Sequence, residues 1–127
     1  MKSPLRKIKE KFDALKFGRK GEKLAARALR KKGYKILETN YRCPAGEIDL
    51  IARHGKTLVF CEVKSRRSLA FGSALASVSP SKIKRIRKTA DVYMKRHGLK
   101  DIDCRFDVVT VEEGESGIEV EIIPNAF

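Results

Sequence analysis

Asp49, Glu62 and Lys64 are the residues of this chain whose types and spacing suit catalysis. They lie in Gly46–Lys64, where two apolar runs flank the polar turn His54-Gly55-Lys56. That is the pattern of a β-hairpin. Both runs are too rich in Ile, Leu, Val and Phe for a solvent-facing ribbon, so they read as core strands. Alternation puts Glu62 and Lys64 on one face with Leu58 and Phe60, and Asp49 on one face with Glu47 and Ile51. A hairpin closed symmetrically about Gly55 and Lys56 sets Asp49 across from Glu62, with Cβ atoms roughly 5 Å apart. A one-residue slip would send one of the two acids to the other face.

Like charges directly opposite destabilise a sheet, and burial raises that cost. A hard divalent cation removes the conflict, because Mg²⁺ is typically held by one or two carboxylates with phosphate and water. Lys64 then stands two residues from Glu62, placed to hold a water or a developing negative charge. The competing reading is an Asp49–Lys64–Glu62 ion cluster that only helps specify the fold. An acid followed by Glu-x-Lys is by itself a weak pattern, since structural ion networks also gather charges.

The elements around the hairpin must position these groups. Ser3-Pro4 reads as a helix start, with Leu5, Ile8, Phe12 and Leu15 as an apolar stripe and Gly18 as its end. Residues 1–20 hold eight basic and two acidic side chains, so this first helix, residues 1–17, is basic and amphipathic. Docking on the domain, contact with nucleic acid, attachment to a membrane surface and simple fraying all suit it. A second helix spans Glu22 to Lys32, with Leu24, Ala25, Ala28 and Leu29 inward and Gly33 at its end. Glu22, in its first turn, serves either the helix dipole or the hairpin site as a third carboxylate. Tyr34–Tyr41 reads as a strand, Arg42–Gly46 as a turn, and Ser65–Ser79 as a loop able to cover a substrate.

Ser79-Pro80 starts a third helix, with Ile83, Ile86, Ala90, Tyr93 and Met94 on its apolar face. Between Lys82 and Arg96 it carries seven basic residues against Asp91 alone, and Lys82, Lys84, Arg85, Arg87 and Lys88 crowd its first half. Positive charge there opposes the helix dipole, so a phosphate backbone is the natural partner; a solvated basic face is the alternative. Cys104–Val111 and Ile118–Ile123 read as strands joined by a turn at Glu112–Gly117, with an Arg105–Asp107 pair of structural character.

The chain has 127 residues, is 42% hydrophobic, and carries 29 Lys+Arg against 16 Asp+Glu, a net charge of +13. The length suits a single domain, here residues 18–127 behind the N-terminal helix. The charge points to a polyanion, nucleic acid before anionic membrane. No run of about 18 apolar residues occurs, so no spanning helix is predicted. The N-terminus lacks the apolar core of a secretory signal. Cys43, Cys61 and Cys104, odd in number and widely spaced, suggest neither a disulfide framework nor a zinc site, and cytoplasmic reduced thiols follow.

Several segments together carry a resemblance. Gly21-Glu22 precedes an alanine-rich helix, and Asn40-Tyr41-Arg42, Gly46-Glu47-Ile48-Asp49-Leu50-Ile51 and Val59-Phe60-Cys61-Glu62-Val63-Lys64-Ser65-Arg66 follow. Phe71-Gly72, Arg105-Phe106-Asp107-Val108 and Asn125-Ala126-Phe127 complete the set. From about Gly18 onward the chain resembles the YraN-like family of the restriction-endonuclease-like PD-(D/E)xK nuclease superfamily. Ile48 stands where a Pro is usual and Cys61 where the family often has Val; neither removes a ligand.

The resemblance implies an α/β (α+β mixed) fold with a central mixed sheet of about five strands flanked by helices. It implies Mg²⁺ or Mn²⁺ held by Asp49 and Glu62, a water positioned by Lys64, and assistance from Glu22. The expected activity is endonucleolytic cleavage of DNA, with branched, flapped or four-way junctions as substrates and a homodimer as the form suited to junctions. Lys82, Lys84, Arg85, Lys88 and Arg66 are the expected nucleic-acid contacts. The alternative is a non-catalytic nucleic-acid-binding or adaptor module that keeps the nuclease fold.

Overall fold

A computed structural model describes residues 4–66 and 78–127, with the side chains of 10–16 left aside. The chain runs α1 (Pro4–Lys31), β1 (Lys35–Cys43), β2 (Gly46–His54), β3 (Thr57–Arg66), α2 (Pro80–Arg96), β4 (Cys104–Gly114) and β5 (Gly117–Ile123). The five strands form one sheet in sequence order. β3 and β4 pair in parallel across the connection that contains α2, and the other neighbours are antiparallel. The architecture is therefore the expected mixed five-stranded sheet with flanking helices.

Each helix covers an apolar layer. Ala25, Ala26 and Leu29 of α1 pack with Leu50, Ala52, Val59, Cys61, Val109 and Val111. Ile86, Ala90 and Tyr93 of α2 pack with Ile48, Ile51, Leu58 and Phe60. Along β3, Leu58 and Phe60 thus lie toward α2, and Val59 and Cys61 toward α1. Continued alternation carries Glu62 and Lys64 to the α2 side. Ser79 caps α2 by accepting a hydrogen bond from Lys82 N, with Pro80 at the first helical position.

The structure corrects four boundaries. The turn expected at Arg42–Gly46 is only Pro44-Ala45, because Arg42 and Cys43 end β1 and pair with Glu47 and Gly46 of β2. The two helices expected on either side of Gly18 are one unbroken helix, α1. Arg19, Lys20 and Lys23 are good helix formers, and Phe17, Ala25 and Leu29 bury on either side of the interruption. That burial outweighs the roughly 1 kcal/mol that each interior glycine costs. Leu5 and Ile8, at the start of α1, are exposed; Ser3 and the side chains of Phe12 and Leu15 lie outside the described part. Next, Glu112 and Glu113 belong to β4, paired with Glu119 and Ile118, so the expected six-residue turn shrinks to Glu115-Ser116. Finally, Ser65 and Arg66 end β3, while the remainder of the expected loop, residues 67–77, lies outside the described part.

Gly21 sets how closely α1 lies on β3. A Cβ there would stand 1.9 Å from Ser65 Oγ and 3.0 Å from Ser65 Cβ. Gly21→Ala is expected to lose about 1–3 kcal/mol, the usual range for overpacking. The double variant Gly21→Ala/Ser65→Gly should recover most of the loss. Urea melts of the three proteins check it; equal midpoints for wild type and Gly21→Ala would show that α1 can shift freely.

Candidate active site

Pairing of β2 with β3 runs from His54↔Thr57 to Leu50↔Cys61 and stops there. Asp49 is the next residue, and the same register continued would bring it to Glu62. On its other side, Thr39↔Leu50 and Tyr41↔Ile48 leave Asp49 facing Asn40, which takes a left-handed φ of 51°. Ile48 and Ile51 both pack in the α2-side layer although three residues apart. Strand alternation therefore slips at this point, and Asp49 does not simply follow Ile51. Its Oδ2 accepts a hydrogen bond from Val63 N at 2.8 Å. The side chain thus reaches across to β3 in place of a strand–strand bond.

Asp49 and Glu62 come within hydrogen-bonding reach of each other. Burial, the charge of Glu62 and, more weakly, that of Glu22 push the Asp49 carboxyl up to about 7; the Val63 N–H pulls the other way. Glu62 is 95% buried, with a relative exposure of 5%. Lys82 Nζ lies 2.5 Å from its Oε1, and Lys64 Nζ lies 3.8 Å from the same oxygen. The two amines also contact each other. Burial, then the hydrogen bond and charge of Lys82, lower the Lys64 pKa against the pull of Glu62 and Asp49. Burial opposes charge on Lys82 as well, but its bond to Glu62 outweighs this and raises it.

Each expected site residue therefore has a place. Asp49, Glu62 and Lys64 come together, with Lys64 at Glu62. Glu22 feels Asp49 from α1, and because α1 is continuous it sits well inside the helix, so a first-turn dipole role no longer applies. Lys82, an expected nucleic-acid contact, has its ammonium on Glu62. Lys84, Arg85 and Lys88 are exposed on α2, and Arg66 is half-buried at the end of β3. Lys82 was legible as a basic helix residue, but nothing in its spacing signalled the reach to β3.

The oxygens of Asp49 and Glu62 could hold one hard cation. Among the described residues no group of three His, Cys, Asp or Glu gathers around a common point. Two carboxylates completed by solvent or phosphate oxygens suit Mg²⁺, which keeps several waters.

At the other end of the hairpin, the expected structural pair is a closed network. Asp107, wholly buried, accepts from Arg105 Nε, Tyr34 Oη and Asn125 N, each at 2.9 Å. Arg105 also donates to Tyr34 Oη, and contacts His54 Nδ1 at 3.1 Å. Its buried acid is fully satisfied, so this network is structural.

Asp49 gives a pH signature. Its folded pKa lies above the ordinary carboxylate value near 3.9, so its contribution is complete below about pH 4 and is lost as pH rises through about 7. In EDTA, Asp49→Asn, which can still accept from Val63 N, should be more stable than wild type by about 1–3 kcal/mol at pH 8. The gain should vanish near pH 4. Thermal melts across that range check it; a difference independent of pH would show that Asp49 ionises without strain.

Known proteins resemble this chain over most of its length. The family model described as "Uncharacterised protein family UPF0102" matches residues 21–111, from the α1–β3 contact through β4. A UPF0102 protein of Syntrophus aciditrophicus is 48% identical over 113 residues, covering 89% of each chain. One from Hahella chejuensis is 44% identical over 120 residues, 94% of this chain and 96% of its own. One from Moorella thermoacetica is 46% identical over 112 residues, 87% and 93%. With a family model spanning most of the sheet and relatives this similar along nearly their whole length, the chain belongs to the UPF0102, or YraN-like, family.

Proposed function

We propose that the protein is a Mg²⁺- or Mn²⁺-dependent endonuclease acting on DNA, with branched or flapped DNA as its substrate. The observation that carries the reading is the meeting of a half-buried and a buried carboxylate, Asp49 and Glu62, beside an amine, Lys64, next to the apolar stretches of β2 and β3. Asp107 is wholly buried, but an arginine neutralises it; among the described residues no arginine does so for Asp49. Asp49 and Glu62 would hold the ion. When bound, it would supply positive charge to the phosphorane-like transition state and make water more acidic. Lys64 would donate a hydrogen bond to the attacking water and keep it in line with the scissile bond. Glu22 would bias Asp49 from the α1 side.

The basic groups of α2, Lys84, Arg85 and Lys88, with Arg66, would grip the phosphate backbone and make affinity fall with salt. Among the described residues no helix is long and apolar enough to cross a membrane. Cleavage of a four-way junction needs two sites, hence a second copy of the chain.

One observation favours the non-catalytic module instead. Lys82 and Lys64 already neutralise Glu62, as they would in a purely structural cluster. The two readings separate on purified protein with Mg²⁺ or Mn²⁺ and forked, flapped and four-way DNA. Wild type should nick at least one substrate, and Glu62→Gln should lower the rate by at least about 10²-fold, as expected for losing transition-state charge stabilisation. Equal rates in the two proteins would refute catalysis here. Undetectable Mn²⁺ binding by calorimetry, with DNA binding intact in Asp49→Ala, would establish the adaptor reading.

A further inference from the structure

Beside the carboxylates the surface opens into a cleft of about 580 Å³, between the β1–β2 turn and the first half of α2. Its lining includes Arg42, Gly46, Glu47, Lys82, Arg85 and Ile86. Arg42 and Arg85 are exposed, and Lys82 and Arg85, three residues apart on α2, project as neighbours. Glu47 Oε2 pairs with Arg42 Nε at 3.1 Å, so three cations face one acid. The close seating of the turn on α2 depends on Gly46. Its φ is 150°, and a Cβ there would stand 2.9 Å from Thr89 Oγ1. Apolar Ile86 forms part of the lining and arginines stand at the mouth, an arrangement that suits an anion with a planar or tetrahedral oxygen face.

Lys82 belongs to both places at once. It lines the cleft, and its ammonium is on Glu62. A cation bound between Asp49 and Glu62 would compete with that ammonium for the same oxygen. Once released, the ammonium has an anion seat beside it.

Resting on the nuclease reading, we infer that this cleft seats a backbone phosphate of the nucleic-acid strand next to the one being cleaved. Lys82 is an exchangeable cation in this scheme: it neutralises Glu62 in the metal-free protein and moves to the seated phosphate when a divalent ion takes its place. Lys82 is thus a positioning residue, and metal and substrate favour each other through it. Arg42 and Arg85 hold the same phosphate without touching the carboxylates.

The test uses the full chain in two separate measurements. Fluorescence anisotropy follows a labelled forked oligonucleotide in EDTA, and calorimetry follows Mn²⁺ without DNA. The proteins are wild type, Lys82→Met, Arg42→Ala, Arg85→Ala and, as a control for charge alone, Lys100→Met, an exposed site beyond the C-terminal end of α2. Arg42→Ala and Arg85→Ala should weaken DNA binding more than Lys100→Met, lower the salt slope by about 1 each, and leave Mn²⁺ affinity unchanged. Lys82→Met, whose lysine stays on Glu62 in the metal-free protein, should weaken DNA binding in EDTA less than either arginine variant, yet bind Mn²⁺ at least about fivefold tighter, the low end of ordinary coupling between sites.

If Arg42→Ala and Arg85→Ala bind DNA no more weakly than Lys100→Met, the cleft assignment is overturned, whatever Lys82→Met does to folding. Unchanged or weaker Mn²⁺ binding in a folded Lys82→Met overturns the exchange. Absence of Mn²⁺ binding in wild type overturns the nuclease reading and the exchange together, while the DNA measurement still judges the cleft.

Discussion

Two carboxylates held against each other between apolar strands oppose folding, and much of the local structure reads as an answer to that repulsion. Asp49 takes the Val63 N–H as a ligand, which partly compensates its burial. Glu62 takes two lysines, one from its own strand and one from α2. These answers are unequal. Glu62 is neutralised by nearby amines, whereas Asp49 is left with a carboxyl that holds its proton to about pH 7. Burying an acid without a matching cation is costly, and a protein under selection for stability alone has simpler solutions. The same chain contains one: Asp107, more deeply buried than Asp49, has a bidentate arginine, a tyrosine and a backbone amide.

The backbone departs from regularity where this chemistry sits. β2 pairs with β3 only as far as Leu50, its side-chain alternation slips beside Asp49, and Asn40 opposite takes a left-handed conformation. A regular ladder would have used the Val63 amide for a strand–strand bond. Releasing it lets a side-chain oxygen take the amide and turns Asp49 toward its neighbour. Irregular pairing of this kind commonly re-aims side chains at sites of function. On the opposite flank, Gly21 allows α1 to press on Ser65, one residue past Lys64, and that close approach brings Glu22 within electrostatic range of Asp49.

Much of this was legible in the residues. The hairpin centre, the register up to Leu50, the α2 cap and the parting of Cys61 from Glu62 follow from period-two patterning and turn chemistry, which are local. The continuity of α1 was not legible, because a glycine reads as a stop unless the packing on either side of it is known. The slip at Asp49 was hidden for a related reason: symmetric folding of the hairpin brings the acids together by a regular ladder, whereas here a backbone amide and a left-handed Asn40 do it. From the sequence Lys82 is one of several basic residues on a helix face. Its bond to Glu62 joins α2 to β3 through tertiary structure, and no periodicity encodes that.

Lys82 also reconciles two requirements of the proposed site that otherwise pull apart. A site proposed for a divalent cation must be stable before the ion arrives, and a strongly positive protein has cations in excess. An amine on a neighbouring helix can fill the charge requirement of Glu62 without fixing it there, since its side chain is long and its other surroundings form an open basic cleft. A strand arginine in that role would hold two oxygens at once, as Arg105 holds those of Asp107, and would release them reluctantly. The lysine is thus the weaker partner in the place where weakness is useful, and the arginine the stronger partner where nothing has to move.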